Sequence, residues 1–271
     1  MNTTFEALRE LDFPVGVVVS DRDGIVATYG DTTTSFPWAS VTKLVSTMAS
    51  LVAVQRGLVD LDAPAGPPGA TVRHLFAHAA GVPFDSGAVL STPGKRRVYS
   101  NLGIELLAEH VTEHVGTDFT SWAEETVIDP LGLSTVLIEG SPAHAATGST
   151  EDLGRLGREL LAPTLLAAEL FREATTVVFP GLSGVLPGFG RQQHNDWGLG
   201  FEIRDHKTPH WTGTTSSPGT FGHFGQSGSF LWVDPEAHLA TAFLGAKAFG
   251  EWAAKVWPPL TDAIVAEHAR A

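Results

Sequence analysis

The residues with the strongest chemical potential lie together in Ser40-Val41-Thr42-Lys43. Side chains three apart on a helix share a face, so this hydroxyl and this amine can touch. The stretch VTKLVSTMASLVAV carries Lys43 as its only charge, and no other charge follows until Arg56. Val41, Leu44, Val45, Met48, Leu51, Val52 and Val54 cover most of its circumference, which predicts a helix buried nearly all round. An ammonium in such a place is costly unless it is paired or loses its proton. Desolvation favours the free amine, which can take the proton of a serine hydroxyl. At a helix start the backbone N–H of Ser40 is also unpaired and free to face a developing oxyanion. The plainer alternative makes Ser40 a helix cap and lets Lys43 reach solvent.

Two further clusters offer matching groups. Tyr99-Ser100-Asn101 follows a turn at Pro93-Gly94 and precedes an apolar-periodic helix with Leu102, Leu106 and Leu107. Ser100 or Asn101 can cap that helix. A tyrosine hydroxyl near a lysine can relay protons, and an asparagine amide can hold a substrate carbonyl. In FGHFGQSGSF, Gly222, Gly225 and Gly228 allow close backbone approach on a strand that carries His223. Such an edge suits an extended substrate, or it is a bulged strand with a structural histidine.

These groups need elements to position them. Phe5, Leu8 and Leu11 suggest a short N-terminal helix ended by Pro14. Val15–Ser20 and Ile25–Gly30 flank Asp23-Gly24, a hairpin signal, and are expected inside an antiparallel sheet. Helical stretches follow over 38–56, 71–79, 101–115, 118–128, 150–161 and 165–174, with loops at 81–94 and 131–148. Strands are expected within 197–204, 228–233 and 239–244. A closing helix over 251–269 is expected to be interrupted near Pro258-Pro259. The segment 181–196 is glycine-rich and too irregular for a regular element. This order lacks the strand–helix alternation of a dinucleotide fold. It predicts an α+β chain of one domain, 1–271. Its sheet lobe is formed by about 1–36 and 175–271, and an all-helical lobe at about 37–174 is inserted between them.

The 271 residues are 43% hydrophobic and 17% charged, enough apolar material for a full core. Thirty acids against 17 lysines and arginines give a net charge of −13, which disfavours a nucleic-acid partner. There is no cysteine, hence no disulfide, thiolate metal site or thiol nucleophile. The N-terminus lacks the basic start and apolar core of a signal peptide, and no stretch approaches the roughly 18 apolar residues of a membrane span. The expectation is a cytoplasmic protein with a small-molecule substrate and neither a membrane partner nor a cofactor.

Ser40-Val41-Thr42-Lys43, Tyr99-Ser100-Asn101 and His223-Phe224-Gly225 stand in the order found in serine β-lactamases, penicillin-binding D-alanyl peptidases and related esterases. The Tyr-x-Asn form resembles the class C β-lactamase and esterase branch. Arg73-His74-Leu75-Phe76-Ala77-His78-Ala79-Ala80-Gly81 resembles a structural helix of that branch. The resemblance implies an antiparallel sheet flanked by terminal helices, with Ser40 as nucleophile, Lys43 as its base and Tyr99 sharing proton transfer. It further implies that Asn101 orients the acyl side of the substrate and that His223 lines the strand edge. Backbone N–H groups of Ser40 and of Gln226, next to Gly225, would form the oxyanion hole. The implied chemistry passes through an acyl-Ser40 intermediate.

His223 and Phe224 replace the cation and hydroxyl that receive a substrate carboxylate in the lactamase and peptidase form. A protonated His223 could partly compensate. The reading therefore favours an esterase or amidase with a small acyl group, with β-lactam or D-alanyl peptide hydrolysis as the alternative. A non-catalytic binding protein on the same fold is the third possibility. Trp38, Phe84, Phe189, Trp197 and Trp211 are candidate pocket walls. His110-Val111-Thr112-Glu113-His114 matches an inverted zinc-protease pattern, and His74 and His78 form another i,i+4 pair, but no metal is expected.

Overall fold

A computed structural model describes residues 4–269. After a single 3₁₀ turn at Glu6–Leu8 come β1 (Val15–Ser20), β2 (Ile25–Gly30) and β3 (Ser35–Pro37), then a 3₁₀ turn Ala39–Val41 that leads into α1 (Thr42–Gln55). The chain continues through α2 (Val72–Phe76), α3 (Asn101–Val115), α4 (Phe119–Ala123), a π turn Glu124–Ile128 and α5 (Asp129–Leu131). Next are β4 (Leu137–Ile138), β5 (Ala146–Ser149), α6 (Thr150–Leu161) and α7 (Ala168–Ala174). It closes with β6 (Gly184–Leu186), β7 (Gly190–Gln192), β8 (Glu202–Ile203), β9 (Phe221–Gly225), β10 (Ser229–Asp234), β11 (Leu239–Gly245) and α8 (Glu251–His268).

The main sheet runs β2-β1-β11-β10-β9-β8, so the two ends of the chain meet where β1 pairs antiparallel with β11. Strand alternation divides its side chains between two cores. Val17, Val19, Phe230, Trp232 and Phe243 join Trp257, Leu260 and Ile264 of α8 on one face. Val18, Leu231, Val233, Ala242 and Leu244 join α1, α3 and α6 on the other. Because both faces are covered, the central strands are buried at every residue rather than alternately. This α+β architecture, an antiparallel sheet flanked by helices, is the expected fold class.

Several local expectations need correction. The N-terminal helix is only the turn Glu6–Leu8. β2 lies at the sheet edge and is largely exposed, not inside the sheet. The segment 181–196 contains the hairpin β6–β7, and the loop 131–148 holds β4 and the start of β5, which pairs with β3. These strands are too short to leave a periodic pattern. α8 runs unbroken through Pro258 and Pro259. The carbonyls of Ala254 and Lys255, which lose their donors, belong to exposed residues, and buried Ala253, Trp257, Leu260 and Ile264 hold the helix to the sheet.

α6, which the sequence reading assigned to the helical lobe, lies directly on the sheet. A Cβ on Gly154 would sit 2.7 Å from Val18 Cγ1, and one on Gly157 would sit 2.9 Å from Leu231 Cδ1. Gly154→Val is therefore expected to destabilise the fold by about 1–3 kcal/mol through overpacking, read as a lowered Tm. An unchanged Tm would mean that α6 does not press on β1.

Candidate active site

Ser40 is presented by a tightly held turn. Ala39 adopts φ +46°, the left-handed region that is uncommon for alanine. The turn is pinned from three sides: Trp38 N–H donates to Ala146 O (2.8 Å), Ser229 Oγ donates to Trp38 O (2.8 Å), and Thr42 Oγ donates to Ala39 O (2.6 Å). Gly225 packs against it so closely that a Cβ there would collide with Ser229 Oγ and Trp38 O. That contact brings the end of β9 and Gln226 beside Ser40, and both residues border the same cavity. The main-chain turn after β9 is closed by Gly228 N–H to Gly225 O (3.1 Å), and Phe249 N–H donates to Gln226 O (2.9 Å).

Lys43 is fully buried. Its Nζ lies 2.6 Å from Asn101 Oδ1, 2.9 Å from Ala143 O and 3.3 Å from Ser40 Oγ. Burial lowers its pKa to about 7, against the opposing pull of Glu105 and Asp85. The amine thus neither reaches solvent nor meets a carboxylate directly, and Ser40 does not cap α1. Asn101 cannot flip its amide freely, because its Nδ2 donates to Asp85 Oδ1 at 2.9 Å and a carboxylate only accepts. Ala143 is fixed in turn by Ser46 Oγ donating to Pro142 O (2.6 Å). Ser100, not Asn101, caps α3, accepting from Gly103 N–H at 2.8 Å.

Tyr99 has its hydroxyl enclosed, with no partner in hydrogen-bond geometry. Burial raises the phenol well above its ordinary range, and the nearby Ser40 hydroxyl opposes that rise only in part. The group is therefore a neutral phenol that can give a proton. Its ring lies 4.9 Å from Lys43 Nζ and packs against His78 (4.8 Å) and Trp197 (5.8 Å). His78 holds the chain beneath it by accepting from Ser100 N–H (3.2 Å).

His223 Nδ1 lies 2.7 Å from Phe224 O, which only accepts, so the ring carries its proton there. Nε2 is then a buried acceptor with no partner. Burial, with the Lys43 charge, lowers the imidazole to about 3, and the Phe224 carbonyl only partly offsets this. With its pKa lowered by burial, His223 is neutral in the unliganded cavity at neutral pH and offers no cation there. The ring of Phe224 points the opposite way, into the aromatic group of Phe249 (5.0 Å) and Trp257 (6.0 Å).

Ser40, Tyr99, His223 and Gln226 border one cavity of about 240 Å³, walled by Phe84, Trp197, Leu186 and Pro187 and touched by Phe224, whose ring packs mainly into the aromatic group behind it. Phe84 and Trp197 are thus walls as expected. Trp38, Phe189 and Trp211 are not among its lining and belong to the cores. Glu202 also borders the cavity, unnoticed in the sequence. Its burial would raise its pKa, but Lys207 and His210 hold it below the ordinary range. Its oxygens are occupied by Lys207, by His210 Nε2 (3.0 Å) and by Trp211 Nε1 (3.0 Å). Asp85 and the Ala143 carbonyl were missed as well, since neither a lone loop aspartate nor a main-chain group leaves a sequence signal.

The histidine pairs do not join this site. His110, Glu113 and His114 bring ligand atoms within 4.8 Å of one another, away from the lining residues of the cavity. His74 is engaged by Thr71 (2.9 Å) and stacked on Phe179 (4.4 Å), while His78 serves Ser100.

Comparison with known proteins gives this geometry a family. The beta-lactamase family model matches residues 14–266, and the chain belongs to that family. A crystal structure of a beta-lactamase from Mycobacterium bovis is 48% identical, with 99% of this chain and 100% of that one covered and a TM-score of 0.97. Simvastatin synthase from Aspergillus terreus superposes with a TM-score of 0.80 at 16% identity, covering 98% of this chain and 94% of the other. EstCE1, a hydrolase with promiscuous acyltransferase activity, does so at 0.73 and 16%, covering 97% and 96%. These last two share the fold. No curated protein matches. The chain is a serine hydrolase of the β-lactamase-like family, working through an acyl-enzyme on a small acyl substrate. Among the described residues no helix is long and apolar enough to cross a membrane.

The close seat of β9 yields a test. Gly225→Ala should push Gln226 away from Ser40 and cut the rate of acyl-enzyme formation at least tenfold, with a stability loss of about 1–3 kcal/mol. Acylation at the wild-type rate would show that the spacing between β9 and the Ser40 turn is not critical.

Proposed function

We propose that the protein opens β-lactam amides through an acyl-Ser40 intermediate. The observation that carries this reading is the seating of Lys43. A neutral amine has two N–H bonds and one lone pair. Asn101 Oδ1 at 2.6 Å and Ala143 O at 2.9 Å can only accept, so they take both hydrogens. The lone pair is left for the third neighbour, the Ser40 hydroxyl at 3.3 Å. Lys43 then accepts the Ser40 proton as Oγ attacks the carbonyl, and negative charge develops on the carbonyl oxygen. The backbone N–H groups of Ser40 and Gln226 stabilise that charge. The leaving nitrogen takes a proton from the neutral Tyr99 phenol, which regains one from the Lys43 ammonium. Water then hydrolyses the ester on Ser40, activated by the same groups. Asn101 acts in this scheme chiefly by orienting Lys43, and His223 and Gly225 form the edge along which the substrate lies.

The lactam ring is favoured over an open ester by the similarity to the Mycobacterium bovis beta-lactamase, 48% identical over the full chain. A second reading, hydrolysis of uncharged esters, draws support from the neutral His223, which offers no cation to a carboxylate. The two separate on substrates. The first expects a higher kcat/KM for nitrocefin than for p-nitrophenyl butyrate, and the reverse order would favour the second.

Two outcomes test the machinery common to both. Intact mass should detect an adduct that is absent in Ser40→Ala, and Lys43→Ala should lower the acylation rate by about 10²–10⁴ with the fold retained. An adduct surviving in Ser40→Ala would overturn the assignment. The acting form of Lys43 is the free base, so kcat/KM should climb with pH through about 7 and level off above it. A profile still climbing steeply at pH 9 would contradict a base lowered to that range.

A further inference from the structure

A second cavity, of about 420 Å³, adjoins the first and shares Phe84, Tyr99 and Pro187 with it. Its floor follows from strand register. Arg97 bridges Gly184 in parallel, Arg97 N–H donates to Ser183 O (2.9 Å), and Val185 faces Arg191 across β6–β7. Alternation then sends Arg97 and Gln192 inward, where both are buried. Arg96, Val98, Val185 and Arg191 share the opposite face, and all four border the cavity, which Arg97 and Gly184 also touch.

The buried Arg97 is consumed by main-chain carbonyls of Asn195 (3.0 Å), Ala77 (2.6 Å) and Val178 (2.8 Å). Arg96 and Arg191 are different. Both are exposed, and among the described residues neither is paired with a carboxylate; Arg96 spends one N–H on Leu90 O (3.0 Å). No Asp or Glu borders the cavity. In a chain with 30 acids and 17 lysines and arginines, two unpaired arginines on one acid-free wall are a marked concentration of positive charge. Two strand spacings and two residues separate them along the ladder, about 12 Å between Cα atoms. Two arginine side chains can close that gap around one oxyanion. The path between them and the first cavity is apolar: Phe84 is 50% exposed, Leu90 52% and Val185 59%. Exposed side chains of this kind gathered at one mouth favour an apolar ligand segment.

We propose that this second cavity binds the far end of the substrate, a carboxylate carried on an apolar acyl chain whose carbonyl reaches Ser40. Arg96 and Arg191 hold the carboxylate, and Phe84, Leu90, Val185 and Pro187 hold the chain. The inner cavity, with its neutral His223, has no cation for such a group, so the negative charge is received at the arginines and not beside the scissile bond. The inference rests on Ser40 being the acyl acceptor, and its test separates the two claims.

Paired p-nitrophenyl esters of succinate, adipate and suberate, each with its far carboxyl free or methyl-capped, read the subsite. The free suberate half-ester should show a KM about five- to tenfold below its capped partner at low ionic strength. The ratio should approach one in R96Q/R191Q and shrink at high salt, and the succinate pair should show no preference because its chain is too short. Equal KM values for the suberate pair, or a preference that survives in R96Q/R191Q, would overturn the proposal. A binding arm does not depend on catalysis. Calorimetric titration of S40A with monomethyl suberate and dimethyl suberate should give tighter binding of the acid, lost in S40A/R96Q/R191Q. If no ester acylates Ser40 the ester reading fails, while this titration still decides the subsite: a difference between the two ligands supports it and equal binding refutes it.

Discussion

A primary amine excluded from water, with no carboxylate in direct contact, sets the conditions for the rest of this molecule. Lys43 has no exposed surface, and its three polar neighbours are an amide oxygen, a main-chain carbonyl and the Ser40 hydroxyl. Desolvation costs the ammonium more than the neutral amine, and the distant charges of Glu105 and Asp85 recover only part of that cost. The fold therefore keeps the group near the point where it gains or loses a proton at neutral pH. A carboxylate placed directly against Nζ would have fixed it as a cation.

The surrounding structure holds that balance in place. Ser46 and Asp85 orient the two acceptors, the strained Ala39 turn sets Ser40 above the amine, and Gly225 allows β9 to close against it. On the far side of the cavity, Glu202 is tied to Lys207, His210 and Trp211, so its charge is compensated before it reaches the site. His223 presents only a lone pair. The inner cavity is thus close to electrically neutral apart from the proton that Lys43 exchanges. Exposed positive charge lies further out, at Arg96 and Arg191.

Much of this was legible in the sequence wherever local chemistry decides. Helices α3 and α6 lie at their expected limits because Ser100 and Ser149 cap them and Gly116 ends α3 in the left-handed region. The charge-free stretch around Lys43 signalled burial, and α1 is buried over nearly all its length. Lys43 lies against Ser40 and Asn101, and Ser40, Tyr99, His223 and Gln226 border one cavity, so residues far apart in the sequence are neighbours here. What could not be read depends on tertiary partners. The unprotonated state of His223 follows from its burial and the Phe224 carbonyl, the continuity of α8 through two prolines follows from its anchoring to the sheet, and the hairpin β6–β7 has three residues per strand. The preference for esters over β-lactams rests on the substitutions at His223 and Phe224 and on an N-terminus without the marks of a signal peptide. The full-length similarity to a beta-lactamase is a comparison that a single sequence does not contain.

The central claim concerns one ionisation, and it can be measured without any substrate. NMR of the protein labelled at lysine Cε, with the Lys43 signal assigned by its loss in Lys43→Met, would follow the amine through a pH titration. The account predicts a midpoint near 7, in place of the ordinary 10.5. A Lys43 that titrates near 10.5, with the chemical shift of a hydrated ammonium at neutral pH, would contradict it.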